Sequence, residues 1–426
     1  MKAKDPVNTT RTWRRLVAVL VAGSIVATAC GDDDADDAAA PTDAVGEDAV
    51  GDAGAYEGEV GVTDDTIKIG FLIAETGQYS VATTEMSRAV TEAAFQEVND
   101  AGGINGRMVE LVEYDDGSGD PAKITQSFRK AKEEVFGVMS IIGNTATTLA
   151  LLADDAGVPA VVGNVDGRVA RETEFVFGAL PYWDTSSRLM DDYIANELDG
   201  KGKKVGVVWM NSPNGEGAKD AFMDEAEDAG LDVVLNQPID PFPSTCNNET
   251  GKLADAGAEV VYMATASLPA ACMLRAAREA GYEPTWTSPA YGWNLDLVAK
   301  FSGGATEGVI SFGHQTTLDT DAGRHYVETI EKYVPDAVVG TDITNDGMLT
   351  YSILQLYFEG LRVAGEDLTR TAFLEAMETE VNGFDSGYLP PPTYGPGDRS
   401  GPLSVNLWVG GETSWSMHDP EWRDRF

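Results

Sequence analysis

The 426-residue chain carries 70 acidic against 30 basic side chains, a formal charge of −40, with 43% hydrophobic residues, 46 glycines and three cysteines. That is enough apolar material for two globular lobes. The charge excludes a nucleic-acid partner, which would need clustered Lys and Arg to displace counterions from phosphates, and no such cluster follows the first fifteen residues.

At the N-terminus, Arg11, Arg14 and Arg15 precede an apolar run from Leu16 to Val26 that ends in Ala27, Thr28 and Ala29 before Cys30. The run is shorter than the roughly 20 residues a bilayer span requires, so residues 1–29 read as a cleaved signal peptide. Small residues directly before a cysteine are similar to a bacterial lipobox, although Ala27 stands where Leu or Val is usual. Cys30 is therefore expected to carry a lipid on the extracytoplasmic face of the membrane; the alternative is a secreted protein with an incidental cysteine. From Gly31 to Asp65 the chain has no Lys or Arg and little periodicity. Residues 30–65 accordingly read as the anchor and a disordered, self-repelling acidic tether.

Short β-rich runs then alternate with helical patterns. Strands are expected at TIKIGFLIA, MVELVEYDD, VMSIIG, VPAVVG and FVFGAL, and in a second series at KVGVVWMN, DVVLNQPI, EVVYMATA, TWTSPA and GVISFG. Continuous apolar runs separated by helices indicate parallel strands covered on both faces. Met86, Ala89, Val90, Ala93, Ala94 and Val98 recur at helical spacing until Gly102 and Gly103 stop the pattern. Asp120 followed by Pro121 reads as an N-cap, so the carboxylates of YDDGSGDP are expected to cap and not to bind calcium. The fold class is α/β, with two doubly wound parallel-sheet lobes whose ligands would lie beyond the carboxyl ends of the strands. With Cys30 set aside, Cys246 and Cys272 of an exported chain are expected to form a disulfide, the alternative being two separate buried thiols.

Catalytic signatures are scarce. There is no GxSxG, HExxH, CxxC, GxxxxGK[ST] or post-strand GxGxxG. His314, His325 and His418 are far apart, with His418 in a polar tail, so no metal site, no cofactor and no enzyme activity are expected. The loops at the strand ends hold hydroxyls, amides and aromatics instead. Gln78 and Tyr79 follow the first strand, Thr145 and Thr147 the third, Asn164 and Asp166 the fourth, and Trp183 stands where the chain leaves the first series. Asn214, Ser267 and Tyr291 follow strands of the second series. Convergent polar groups with aromatics describe a small-molecule site.

The stretches IKIGFLIAETGQYS, FQEVNDAGGINGRMVELVEYDD, IIGNTATTLALLADDAGVPAV, NGEGAKDAFMDEAEDAG and LRAAREAGYEPTW, spread between Ile67 and Met417, together resemble the extracytoplasmic solute-binding proteins of ABC importers, branched-chain amino acid (Leu/Ile/Val-binding) type. The resemblance implies a periplasmic binding protein type I fold, with lobes joined by a three-crossover hinge and closing on a ligand. It places the crossings near Trp183, Gly313 and Pro392, giving lobe 1 residues 66–183 and 314–392 and lobe 2 residues 184–313 and 393–426. It also implies a monomer that delivers its ligand to membrane permease subunits; the alternative is a sensing module that signals to a membrane receptor. In the family, hydroxyls after the third and fourth strands hold the ligand's carboxylate; here Thr145 or Thr147 and Asn164 to Asp166 stand there. Asn214 replaces the usual tyrosine, and Ala290 or Tyr291 the acid that pairs the ammonium. An amide, a carboxylate without an amine, or an aromatic compound stacked on Trp183 or Tyr291 is thus as consistent as an amino acid, for which Asp166 would supply the counter-charge.

Overall fold

The computed structural model describes residues 58–77, 80–141, 143–163, 167–289, 295–337, 343–412 and 414–426; Cys30, the signal sequence and most of the tether lie outside them. The folded unit starts earlier than the composition suggested. Val62, buried at the end of the acidic stretch, bridges to Ile67, and Glu59 accepts a hydrogen bond from the Arg370 backbone N–H at 3.1 Å. One apolar side chain in a polar segment is enough to seat it.

The first sheet contains β1 (Thr66–Ile73), β2 (Met108–Asp115), β3 (Gly137–Ser140), β4 (Ala160–Val162) and β5 (Val176–Gly178), all parallel, in the order β2-β1-β3-β4-β5. β1 is apolar on both faces because both are covered: Ile69 and Phe71 join one core layer and Leu72 the other. The intervening helices are α1 (Ser80–Asp100), α2 (Pro121–Glu134), α3 (Gly143–Ala156) and α4 (Gly167–Glu172). Asp120 caps α2 as its sequence implies, accepting from the Lys123 N–H at 2.9 Å with Pro121 in the first turn.

The chain leaves this sheet into α5 (Trp183–Glu197) and builds β6 (Lys204–Met210), α6 (Pro213–Ala226), β7 (Asp232–Ile239), α7 (Asn247–Ala256), β8 (Val260–Ala264), α8 (Ser267–Ala280), β9 (Thr285–Ser288), α9 (Leu295–Ser302) and β10 (Ile310–Gly313). Every expected strand of both series is present. α10 (Asp321–Tyr333), α11 (Asn345–Ala364) and α12 (Arg370–Glu378) return to the first sheet, where Phe358 packs edge-on to Phe95 of α1 and Phe373 edge-on to Phe136. β11 (Thr393–Gly395) and β12 (Asp398–Gly401) then form a hairpin, and β13 (Val405–Gly410) and β14 (Trp415–Arg423) complete a second sheet ordered β14-β13-β10-β9-β8-β6-β7.

Two sequence readings need correction here. The hairpin docks on the first sheet, Tyr394 donating to the Gly178 carbonyl at 2.6 Å and Arg399 to the Thr173 carbonyl at 3.1 Å, so the third crossing falls after Gly401 and not near Pro392. His418 lies in β14, an antiparallel edge strand, and not in a polar tail; the exposed Pro420 and the acids of this edge hide it from a pattern search.

Between α5 and α6, Asp191 is 1% exposed and neither carboxylate oxygen has a hydrogen-bond partner among the described residues. Burial pushes this carboxyl up to about 9, with the Glu225 charge adding and Arg188 opposing. Between the ordinary value of 3.8 and about 9 the folded chain holds a proton that the unfolded chain has released, so this group's contribution to stability falls as pH rises through that window. Asp191→Asn should therefore melt above the parent at pH 8, by about 1–3 kcal/mol, with the advantage shrinking toward pH 4; thermal melts across that range check it.

Cys246, the residue before α7, and Cys272 of α8 are joined by a disulfide with Cα atoms 5.8 Å apart, as the cysteine count implied. Closing a loop with a sequence separation of 26 restricts the unfolded chain by about 3 kcal/mol on the entropy model. A Cys246→Ser/Cys272→Ser double variant should lose about that much in denaturant unfolding.

Candidate functional site

In an open parallel sheet, ligands collect where the strand order reverses. In the first sheet that point lies between β1 and β3, in the second between β6 and β8. The loops leaving these four strands carry Thr76–Gly77, Thr145, Asn214 and Thr265–Ser267. Of the expected site residues, Gln78, Tyr79, Asn164, Asp166 and Tyr291 lie outside the described residues.

The base of the first loop is pinned. Thr76 donates its N–H to Asp115 Oδ1 at 3.1 Å and its hydroxyl to Asp115 Oδ2 at 2.7 Å, while Lys123 Nζ stands 3.3 Å from the same carboxylate. Burial works to raise the Asp115 carboxyl, but the Gly117 N–H at 3.0 Å from Oδ1, with these bonds, holds it below its ordinary value. Gly77 has φ +95° and a Cβ there would fall 2.5 Å from Ser118 Oγ, so only glycine fits. Ser118 in turn donates to the Thr76 carbonyl at 2.8 Å.

Thr145 stands in the first turn of α3, as its place after β3 requires, but its side chain does not face an open cleft. It is 0% exposed and its hydroxyl donates to Asp116 Oδ2 at 2.7 Å. The other Asp116 oxygen accepts from the Ser118 N–H at 2.7 Å. Burial raises the Asp116 carboxyl and these hydrogen bonds oppose it. The hydroxyl expected to grip a ligand carboxylate thus donates to a buried acid, while Thr147 of the same turn is half-buried. The carboxylates of YDDGSGDP were expected to cap, and Asp116 does accept from the Ser118 N–H, but its bond to Thr145, 29 residues away, is set by the fold.

Trp183 opens α5 and is 5% exposed, packed in the main core cluster and not displayed as a stacking surface. Around it the first passage is braced: Arg171 of α4 reaches Asp184 of α5 at 2.8 Å, and Arg188 reaches Glu225 of α6 at 2.9 Å.

In the second sheet, Ser212 caps α6 by accepting from the Gly215 N–H at 3.2 Å, and Asn214 is buried in the same turn at 6% exposure. α8 differs. Its N-cap is Ala266, which offers no side-chain acceptor to the N–H groups of the first turn. On either side stand Ser267, 8% exposed, and Thr265, 0% exposed, whose Oγ1 has no partner among the described residues. Uncapped N–H groups beside hydroxyls suit an oxygen acceptor on a small molecule. Thr265 was missed because the last letters of a strand-like run, YMATA, do not distinguish the strand from its exit.

Burial pushes His314 down to about 4, so it is neutral near pH 7. His325 Nε2 lies 3.2 Å from Glu97 Oε1 on the α1–α10 surface. Among the described residues no cluster of His, Cys, Asp and Glu could hold a metal ion.

Two doubly wound sheets with polar loops over their switch points define a two-lobed α/β protein of the kind that holds small molecules. The chain belongs to the periplasmic binding protein family, whose model matches residues 66–407. It is 27% identical over 256 residues to the leucine-, isoleucine-, valine-, threonine- and alanine-binding protein of Pseudomonas aeruginosa, a match covering 58% of this chain and 66% of that relative, just under two thirds of its length. Among solved structures it superposes on a fatty acid ABC transporter substrate-binding protein from Thermomonospora curvata, with TM-score 0.73, 20% identity, 87% of this chain and 95% of that one. A branched-chain amino acid ABC transporter from Thermus thermophilus with bound valine gives TM-score 0.73 at 18% identity, covering 84% and 96%. These likenesses establish the periplasmic binding protein type I fold. The family is extracytoplasmic, and among the described residues no helix is long and apolar enough to cross a membrane.

Replacing Thr145 by Val removes a donor from a buried carboxylate while keeping the shape. The variant should lose about 1–3 kcal/mol in denaturant unfolding near neutral pH.

Proposed function

We propose that the chain is a lipid-anchored, non-catalytic solute-binding protein that holds a small polar molecule between its two lobes and delivers it to an ABC permease. The observation that carries the reading is the coincidence of polar loop residues with the reversal points of both sheets, above all the uncapped α8 N-terminus flanked by Thr265 and Ser267. The lobes would be residues 59–183 with 314–401 and residues 184–313 with 402–426. Gln78, Tyr79, Asn164, Asp166 and Tyr291 would complete the cleft from its rims, and Cys30 would hold the protein at the membrane surface.

The ligand class follows from donors and acceptors. The groups of α8 ask for an oxygen acceptor, a carboxylate or a carbonyl. The carboxylates nearest the first cleft loop are already engaged: Asp115 is held by Thr76 and Asp116 by Thr145. An amino acid would need Asp166, or Glu216 in the first turn of α6, to meet its ammonium, whereas amides and carboxylic acids lacking an amine need no such partner. The relatives' names, which span aliphatic amino acids and a fatty acid, are compatible with either.

A thermal-shift panel of aliphatic amino acids, their amides, and aliphatic and aromatic acids tests the reading. One member should stabilise the protein by about 2.7 kcal/mol at a hundredfold excess over its dissociation constant. Removing both hydroxyls by Thr265→Val with Ser267→Ala should weaken that ligand at least tenfold while the unliganded protein melts within about 1 kcal/mol of the parent. A panel without response, or a double variant that binds as the parent does, overturns it.

A further inference from the structure

The two segments that flank the reversal of the first sheet hang on one buried side chain. Asp116 follows β2, and its N–H donates to the Ile73 carbonyl at 2.9 Å, which roots it against the end of β1. Its Oδ1 accepts from the Ser118 N–H and its Oδ2 from the Thr145 hydroxyl, both at 2.7 Å. The first bond leads to the loop after β1, because the Ser118 hydroxyl donates to the Thr76 carbonyl at 2.8 Å. The second reaches the first turn of α3, the segment after β3. The adjacent Asp115 engages Thr76, the Gly117 N–H and Lys123 of α2, and so serves the first loop.

Ser118 is strained in this arrangement. Its φ is +61°, and the other described non-glycine residues with positive φ are Asn105 and Asp199, types whose short polar side chains tolerate the left-handed region. Glycine would adopt the same backbone without strain. What the serine adds is its hydroxyl, and that hydroxyl is the link to the Thr76 carbonyl. Such a conformation persists only where its surroundings over-determine it. Here the Asp116 carboxylate does so, holding the Ser118 N–H at 2.7 Å and the Gly119 N–H at 3.4 Å.

We propose that Asp116 is a positioning residue of the binding site, which sets the loop after β1 and the first turn of α3 in one fixed relation so that both meet the same small molecule. At 0% exposure it does not itself touch that molecule. Its contribution is to order the two segments beforehand, so that less freedom is lost when the molecule binds. The inference rests on the solute-binding reading proposed above and adds how the first-sheet half of that site is held.

The test uses the full chain, with valine, valinamide and isovaleric acid as probes of the amino acid, amide and acid classes. Affinity is read by calorimetry and backbone order by hydrogen exchange. Asp116→Ala should weaken the probe that binds the parent by about tenfold or more and speed exchange about threefold or more in both segments. Thr145→Val should act on the α3 turn alone. Ser118→Gly removes the strained φ together with the hydroxyl, so it should melt with the parent or above it, yet bind the probe about threefold weaker. A merely structural role does not separate melting from binding in that way. If Asp116→Ala does not fold, the two single-arm variants decide. Parent-like affinity in both, or faster exchange spread over the whole chain, overturns the proposal. Where no probe binds the parent, faster exchange confined to the two segments keeps the positioning role and removes the solute classes proposed above, and unchanged exchange overturns it.

Discussion

The pairing of β10 with β13 holds the architecture together. These strands run antiparallel, with Ile310 opposite Val409 and Gly313 opposite Asn406. At the point where the chain departs for the first sheet, Asn406 donates to the Gln315 carbonyl at 2.9 Å and accepts from the Trp408 indole at 2.9 Å. A Cβ on Gly313 would sit 2.1 Å from the Trp408 nitrogen, so the close approach depends on glycine at that residue. Because the outgoing and returning passages are zipped at their root, α10, α11 and α12 can belong to the first sheet while their flanking segments stay fixed to the second. The first passage is braced independently by Arg171 and Asp184.

How much of this was legible follows from where each element's stability comes from. Parallel strands buried on both faces must be apolar throughout, so runs such as VGVVWM and VVYMA declare themselves. β14 is an edge strand whose residues alternate between half-buried and exposed and include Pro420, so WSMHDPEWR carries little signal. The cysteine pair was one of two readings the count and the exported setting allowed, and the structure has the disulfide. Thr145 was placed correctly along the chain yet given the wrong partner, because its acceptor, Asp116, is brought near only by the packing of α3 on the end of β2. Trp183 shows the same limit: its position marks the exit from the first sheet, but burial at that exit is a tertiary fact.

Charge is distributed with a comparable economy. A few cations are drawn inward as fasteners: Arg399 sits between Glu378, the Thr173 carbonyl and the Phe177 ring, and Arg370 donates to the carbonyls of Val135 and Phe136. The acids left outside face water, where their mutual repulsion is screened by salt. Among the acids retained inside, Asp191 differs from Asp116 in having no hydrogen-bond partner among the described residues, and its surroundings hold it neutral.

The root of the first cleft loop is fastened from several sides. Thr76, Gly77, Ser118 and Asp115 engage one another there. A loop secured in this way resembles a socket that accepts interchangeable heads. The residues after Gly77 thus start from a fixed point of departure, set by a carboxylate and two hydroxyls.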